Sequence, residues 1–277
     1  MNKKALLIIW VLLGCSVASF SQEKEKEKIR WKASGIISGE YADFSVDYLG
    51  NTYLINASGQ LKKIDAKGDS IGVFNDIKRY GKLHSIEIST PLKILLFYKD
   101  FGTIVILDRF LNPRATIDLR KHGYYQVTAI ALAYDNQIWI YDALDAKLKK
   151  ISEEGKMLSE TPDFRVLFQP VPHPEIIIDQ DKKLYVYDSN SGLLVFDYFG
   201  TLQHKLPFAN WNAFTVAEGM AFGIKDKQLL RYAPGTLHME EIPLPDIDEE
   251  AEKMVIRPWG VYFLTKNGIY RFDFQEK

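Results

Sequence analysis

The chain carries His84, Glu87, His173, Glu175, Asn212 and Glu252, with Asp43 and Gln126 as further polar candidates. Imidazoles and carboxylates gathered around one centre can hold a metal ion or act on a substrate. They are scattered between positions 43 and 252, so only a fold that returns repeatedly to one axis could assemble them. The acidic run Asp246 to Glu252 (DIDEEAE) offers oxygen ligands at close spacing. It lacks the turn glycine and twelve-residue frame of an EF-hand and reads as a solvated loop. No G-x-S-x-G, H-E-x-x-H, P-loop or dinucleotide fingerprint occurs.

Such a returning architecture is visible as a repeat. Six short apolar runs align as NTYLIN (51–56), KILLFY (93–98), QIWIYD (137–142), KLYVYD (183–188), MAFGIK (220–225) and GVYFLT (260–265). Their third residues, Tyr53, Leu95, Trp139, Tyr185, Phe222 and Tyr262, are separated by 42, 44, 46, 37 and 40 residues. Another apolar run precedes each of them and a third follows, with a weaker fourth in most units, and turn residues lie between. Three to four short strands per unit at about 42 residues is the period of a β-propeller blade. The expected fold is therefore all-β, a single six-bladed propeller over residues 29–277. The sixth unit ends after its third strand, and Ile29 to Ile37 belongs to no other unit. It is expected to pair with Gly268 to Phe274, closing the last blade with the N-terminal strand and leaving the ring without a free edge.

Composition agrees. The chain has 277 residues, 13% of them aromatic, a content that suits pleated, packed strands. A net charge of -1 without a basic cluster lacks the footprint of a nucleic-acid binder. Residues 1–21 read as a signal peptide, with Lys3 and Lys4 ahead of an apolar run, Ala5 to Leu13, too short to span a bilayer. The alternative is a lipoprotein signal over 1–14, in which Leu12-Leu13-Gly14-Cys15 is a lipobox and Cys15 is lipidated. Cys15 is the only cysteine, so the mature domain has no disulfide and no thiol nucleophile on either route. Residues 22–28 (QEKEKEK) read as a charged, solvated spacer.

The fourth unit, IIIDQDKKLYVYDSNSGLLVFDYFGTL (176–202), resembles the NHL-type repeat of six-bladed, TolB-like propellers, in its Asp179 turn, Leu184-Tyr185-Val186, Asp188 and a following glycine. The SFSQ ending of the leader resembles signal peptides of Bacteroidota. In a propeller the innermost strands begin at the channel mouth, and the polar candidates named above lie at or near those starts. The resemblance implies that some such propellers hold calcium there and hydrolyse lactones or phosphoesters through Glu, Asn and Asp. Here that set is irregularly placed. No cofactor is expected, with calcium the candidate if a metal is held.

The leading expectation is a non-catalytic interaction or scaffold module of the bacterial cell envelope. It would be a monomeric domain, periplasmic or outer-membrane associated, without a transmembrane span in the mature chain. It would bind a protein partner, for example as an accessory subunit of an outer-membrane or secretion complex. Trp211, in the loop FANWNA (208–213), is the candidate rim anchor, with packing between blades as the alternative. The enzymatic alternative is a metal-dependent lactonase or phosphoesterase with a channel metal. Glu87, between Ile86 and Ile88 on an inner strand, must find a hydrogen-bond partner or a water-filled channel.

Overall fold

The computed structural model describes residues 30–275 apart from 235, 248 and 249. The expected leader (1–21), Cys15 and the spacer (22–28) lie outside the described residues. The strands, numbered in chain order, form six four-stranded antiparallel sheets. After β1 (Arg30–Ser38), blade 1 holds β2 (Tyr41–Val46), β3 (Thr52–Asn56), β4 (Leu61–Ile64) and β5 (Ser70–Phe74). Blade 2 holds β6 (Ser85–Thr90), β7 (Lys93–Tyr98), β8 (Thr103–Leu107) and β9 (Pro113–Asp118). Blade 3 holds β10 (Val127–Leu132), β11 (Ile138–Asp142), β12 (Lys147–Ile151) and β13 (Met157–Glu160). Blade 4 holds β14 (Ile176–Gln180), β15 (Lys183–Asp188), β16 (Gly192–Asp197) and β17 (Leu202–Leu206). Blade 5 holds β18 (Asn212–Ala217), β19 (Met220–Lys225), β20 (Gln228–Ala233) and β21 (His238–Pro243). Blade 6 holds β22 (Lys253–Arg257), β23 (Gly260–Thr265) and β24 (Gly268–Gln275).

The sixth sheet has the order β1-β24-β23-β22, so the N-terminal strand supplies the missing outer strand as the sequence predicts. Its register runs from Arg30 opposite Gln275 to Ser38 opposite Gly268, with one irregularity between Ala33 and Gly35. Trp31 locks this closure: its indole N–H donates to the Pro243 carbonyl (2.6 Å) and its ring meets Phe263 and Phe272 edge-on.

Each sheet is packed on both faces, which is why the repeat shows apolar residues on both sides of its strands. Six buried clusters result, one at each interface between neighbouring blades. Aromatic residues of the repeat reach across these interfaces to the next blade. Tyr141 donates its hydroxyl to the Pro172 carbonyl, Tyr187 to that of Trp211 and Tyr185 to that of Gly219. Burial pushes the Tyr141 and Tyr187 hydroxyls up to about 12, so they remain donors.

The turns follow one local device. The carboxylates of Asp47, Asp65, Asp108 and Asp197 each accept the backbone N–H groups two and four residues on. The residue three on then takes a positive φ, as glycine at 50, 68 and 200. These aspartates serve the turns between strands, and their spacing carries no ligand chemistry.

Candidate functional site

The innermost strands β2, β6, β10, β14, β18 and β22 neighbour one another in a ring around a central channel. Because the sheets are antiparallel meanders, one end of the ring carries the starts of these strands. The opposite end carries the loops that leave them and the loops joining third to fourth strands. The channel encloses a cavity of about 590 Å³.

Of the predicted residues, Asp43, Glu87, Glu175, Asn212 and Glu252 line this cavity, whereas His84, His173 and Gln126 do not. His84 is exposed at the mouth, its imidazole edge-on to Phe97 at 5.7 Å. Loss of solvent around the ring and the neighbouring Lys99 charge hold it below the usual histidine value. His173 is also exposed, its backbone N–H donating to Asp188 at 2.9 Å. Glu175 accepts from the Ser189 hydroxyl at 2.8 Å, and Asn212 donates to Glu250 at 3.1 Å. Glu252 is exposed and held through its backbone N–H to the Leu264 carbonyl. Among the described residues no three His, Cys, Asp or Glu side chains come together as a metal-binding group.

Trp211 is not an exposed rim aromatic. It is 4% exposed, stacked on Phe208 at 4.5 Å, and its backbone N–H and carbonyl both bond to the Tyr187 hydroxyl. Gly223 makes the space: a Cβ there would lie 2.6 Å from the indole ring. Trp211 thus belongs to the interface between blades 4 and 5, with one side forming channel wall. The packing alternative describes it, because the loop FANWNA turns the ring inward.

The channel lining is mixed. Blades 6, 1 and 2 contribute Lys253 and Arg257, Asp43 and Ser45, and Ser85, Glu87 and Ser89; blades 3 and 4 contribute Ile130, Ile176 and Ile178 together with Glu175, Asp179 and Gln180. Lys253 pairs with Asp43 across the junction of blades 6 and 1. Lys253 and Arg257 were not anticipated from the sequence. The signal was the period of two in KMVIR, where Met254 and Ile256 pack toward blade 5 and Lys253, Val255 and Arg257 alternate to the other face.

Glu87 points into the channel, partly buried, with the Ser89 hydroxyl and backbone amide bonded to its carboxylate. Burial is the main cause that pushes its carboxyl above the usual glutamate value, against the opposing pull of Ser89, Lys253 and Arg257. A raised folded-state value means that the folded chain binds more protons than the unfolded chain. The stabilising contribution is full below the unfolded glutamate value, about 4.3, and is lost as pH rises through the folded value. The stability difference between Glu87→Gln and the natural chain should accordingly shift in favour of the variant as pH rises from 4 to 8, in paired urea titrations. A difference independent of pH contradicts this protonation.

No family model matches the chain, and no curated protein matches it. Solved structures do. Virginiamycin B lyase from Staphylococcus aureus superposes with a TM-score of 0.60 at 17% identity, covering 83% of this chain and 79% of that one. BamB from Moraxella catarrhalis gives 0.54 at 15% identity, covering 89% and 93%. The Pan2 WD40 domain of Neurospora crassa gives 0.66 at 9% identity, covering 91% and 97%. At such identities the likeness is one of fold, shared by proteins with unlike names.

Proposed function

We propose that this chain is a non-catalytic interaction propeller of the bacterial cell envelope, docking a protein partner on the end of the ring where the innermost strands finish. The observation that carries the reading is the apolar dressing of that end. Tyr48 and Leu49, Leu92, Tyr134, Phe199 and Leu237 are all exposed there, on loops of five different blades. Tyr134 meets Tyr198 edge-on at 5.8 Å, so blades 3 and 4 share one aromatic surface. Exposed aromatic and aliphatic groups on loops held by a rigid ring are suited to anchoring a protein partner. The envelope location rests on the Lys3–Lys4 and Ala5–Leu13 pattern of the leader. Among the described residues no helix is long and apolar enough to cross a membrane.

Tagged chain purified from native envelopes tests the reading. The natural protein should bring down a stoichiometric partner, and a Leu49→Glu, Leu92→Glu, Phe199→Glu variant should lose it while its melting temperature stays within about 3 °C. Val166→Glu, an exposed position at the opposite end, should keep the partner. A natural chain recovered alone, or a triple variant that keeps its partner, overturns the proposal.

A further inference from the structure

Arg257 makes no ion pair among the described residues, although Glu87 and Asp47 lie near enough for their charges to act on it. Its Nε and Nη2 donate to the Val46 carbonyl and its Nη1 to the Ile256 carbonyl, tying blade 6 to blade 1. Tyr48 covers the guanidinium face at 4.7 Å. Five N–H groups less these three leave one donor on each terminal nitrogen, the end-on fork that suits a planar or tetrahedral acid group.

No carboxylate among the described residues lies within 4.0 Å of this guanidinium, and the acids whose fields reach it are engaged elsewhere. Asp47 is fully buried, accepting from the backbone of Leu49 and Asn51, the Asn51 amide and the Tyr53 hydroxyl. Glu87 is held by Ser89, and Asp43 by Lys253. Loss of solvent pushes the guanidinium below the usual arginine value, the direction expected of a cation whose water has been removed without a full replacement.

Arg257 lines the same cavity as Ile130, Ile176 and Ile178, which stand on blades 3 and 4 across the axis from blades 6 and 1. The volume, about 590 Å³, lies within the range of small-molecule sites, and the lining sets these isoleucines among polar and charged side chains. We propose that the channel binds a small anionic amphiphile, its acid group taken by the end-on fork of Arg257 and its aliphatic body laid against Ile130, Ile176 and Ile178. This inference is independent of the docking surface proposed above.

Calorimetric titration of the purified mature chain tests it, with octanoate and octyl phosphate as probes and acetate, inorganic phosphate and octyltrimethylammonium as comparisons. Saturable one-to-one binding of at least one anionic amphiphile is expected, about tenfold or more tighter than its headgroup alone and than the cationic amphiphile. The tighter of octanoate and octyl phosphate identifies the headgroup. Arg257→Lys keeps the charge but removes the fork and should weaken binding about tenfold. Ile176→Ser should weaken the amphiphile without affecting any headgroup binding, which keeps the test open if the arginine variant unfolds. Lys121→Gln, on the exposed surface, should bind as the natural chain does. No saturable binding, equal affinity for the cationic amphiphile, or unaltered binding in folded Arg257→Lys overturns the proposal.

Discussion

A chain lacking residues 29–37 is expected to melt more than about 10 °C below the full mature chain, or to associate through the edge it exposes. Eight registered pairs join β1 to β24, and the partly buried Trp31 adds an edge-on contact with Phe263 and Phe272. At about 1 kcal/mol net per ladder hydrogen bond, with a further ~2 kcal/mol for covering the Trp31 ring, the loss is on the order of 10 kcal/mol. In a domain of this size 1 kcal/mol moves the midpoint by about 2–4 °C. The uncovered β24 would present unpaired backbone groups to other molecules. Differential scanning calorimetry and light scattering measure both effects. Met157→Ser, in the wholly exposed outer strand β13, serves as the comparison and should change little. A truncated chain that stays monomeric and melts within about 3 °C of the full one would show that the ring does not depend on its closing strand.

Trp139→Ala should cost about 3–5 kcal/mol, the range for removing a large aromatic from a packed interior. Trp139 is 1% exposed and sits in the cluster between blades 3 and 4, among Ile177, Leu184 and Phe196. Its indole N–H donates to Asp179 of the next blade at 3.2 Å, and the Lys150 ammonium lies 5.3 Å from its ring. Truncation therefore opens a cavity and strips a donor from a carboxylate that burial already holds above its usual value. Trp139→Phe keeps most of the volume and loses the hydrogen bond, so about 1–2 kcal/mol is expected from it. Tyr134→Ala, at an exposed site, should lie within about 0.5 kcal/mol of the natural chain. Chemical denaturation of the three variants gives the ordering. A Trp139→Ala cost near that of Tyr134→Ala would contradict the role of the repeat's central aromatic as an interblade wedge.

These two positions mark how far the sequence carried. Trp139 was the third residue of an aligned run, and the alignment placed it on a strand buried on both faces. The pairing of residues 29–37 with 268–274 followed from counting strands per unit. Both are consequences of periodicity, which survives in a linear chain. Channel chemistry was less legible. The alternation of Glu87 with Ile86 and Ile88 required either a hydrogen-bond partner or a water-filled channel for it, and the structure supplies both. His84 and His173 were placed at the mouth with the acids, but the structure leaves both off the cavity wall. The reason is phase and position. β6 is regular where it begins, so Ser85 and Glu87 face the cavity and His84, one residue out of phase with them, does not. His173 lies in the connection ahead of β14, which begins at Ile176.

Trp211 and Arg257 show the same division from opposite sides. An aromatic in a polar loop looked like a surface anchor, and the loop's path between blades buried it against Phe208 and Gly223. Closure of the ring placed Arg257, at the end of KMVIR, against Val46, more than two hundred residues away, in the same cavity as isoleucines from the far blades. Strand number, blade count and ring closure are determined by the sequence itself, because repeat spacing, turn residues and two-sided apolar strands act locally and recur. Which side chains meet across the axis was decided only by the tertiary structure, because bulges, connector paths and ring closure set direction and distance between segments that have no local relation to one another.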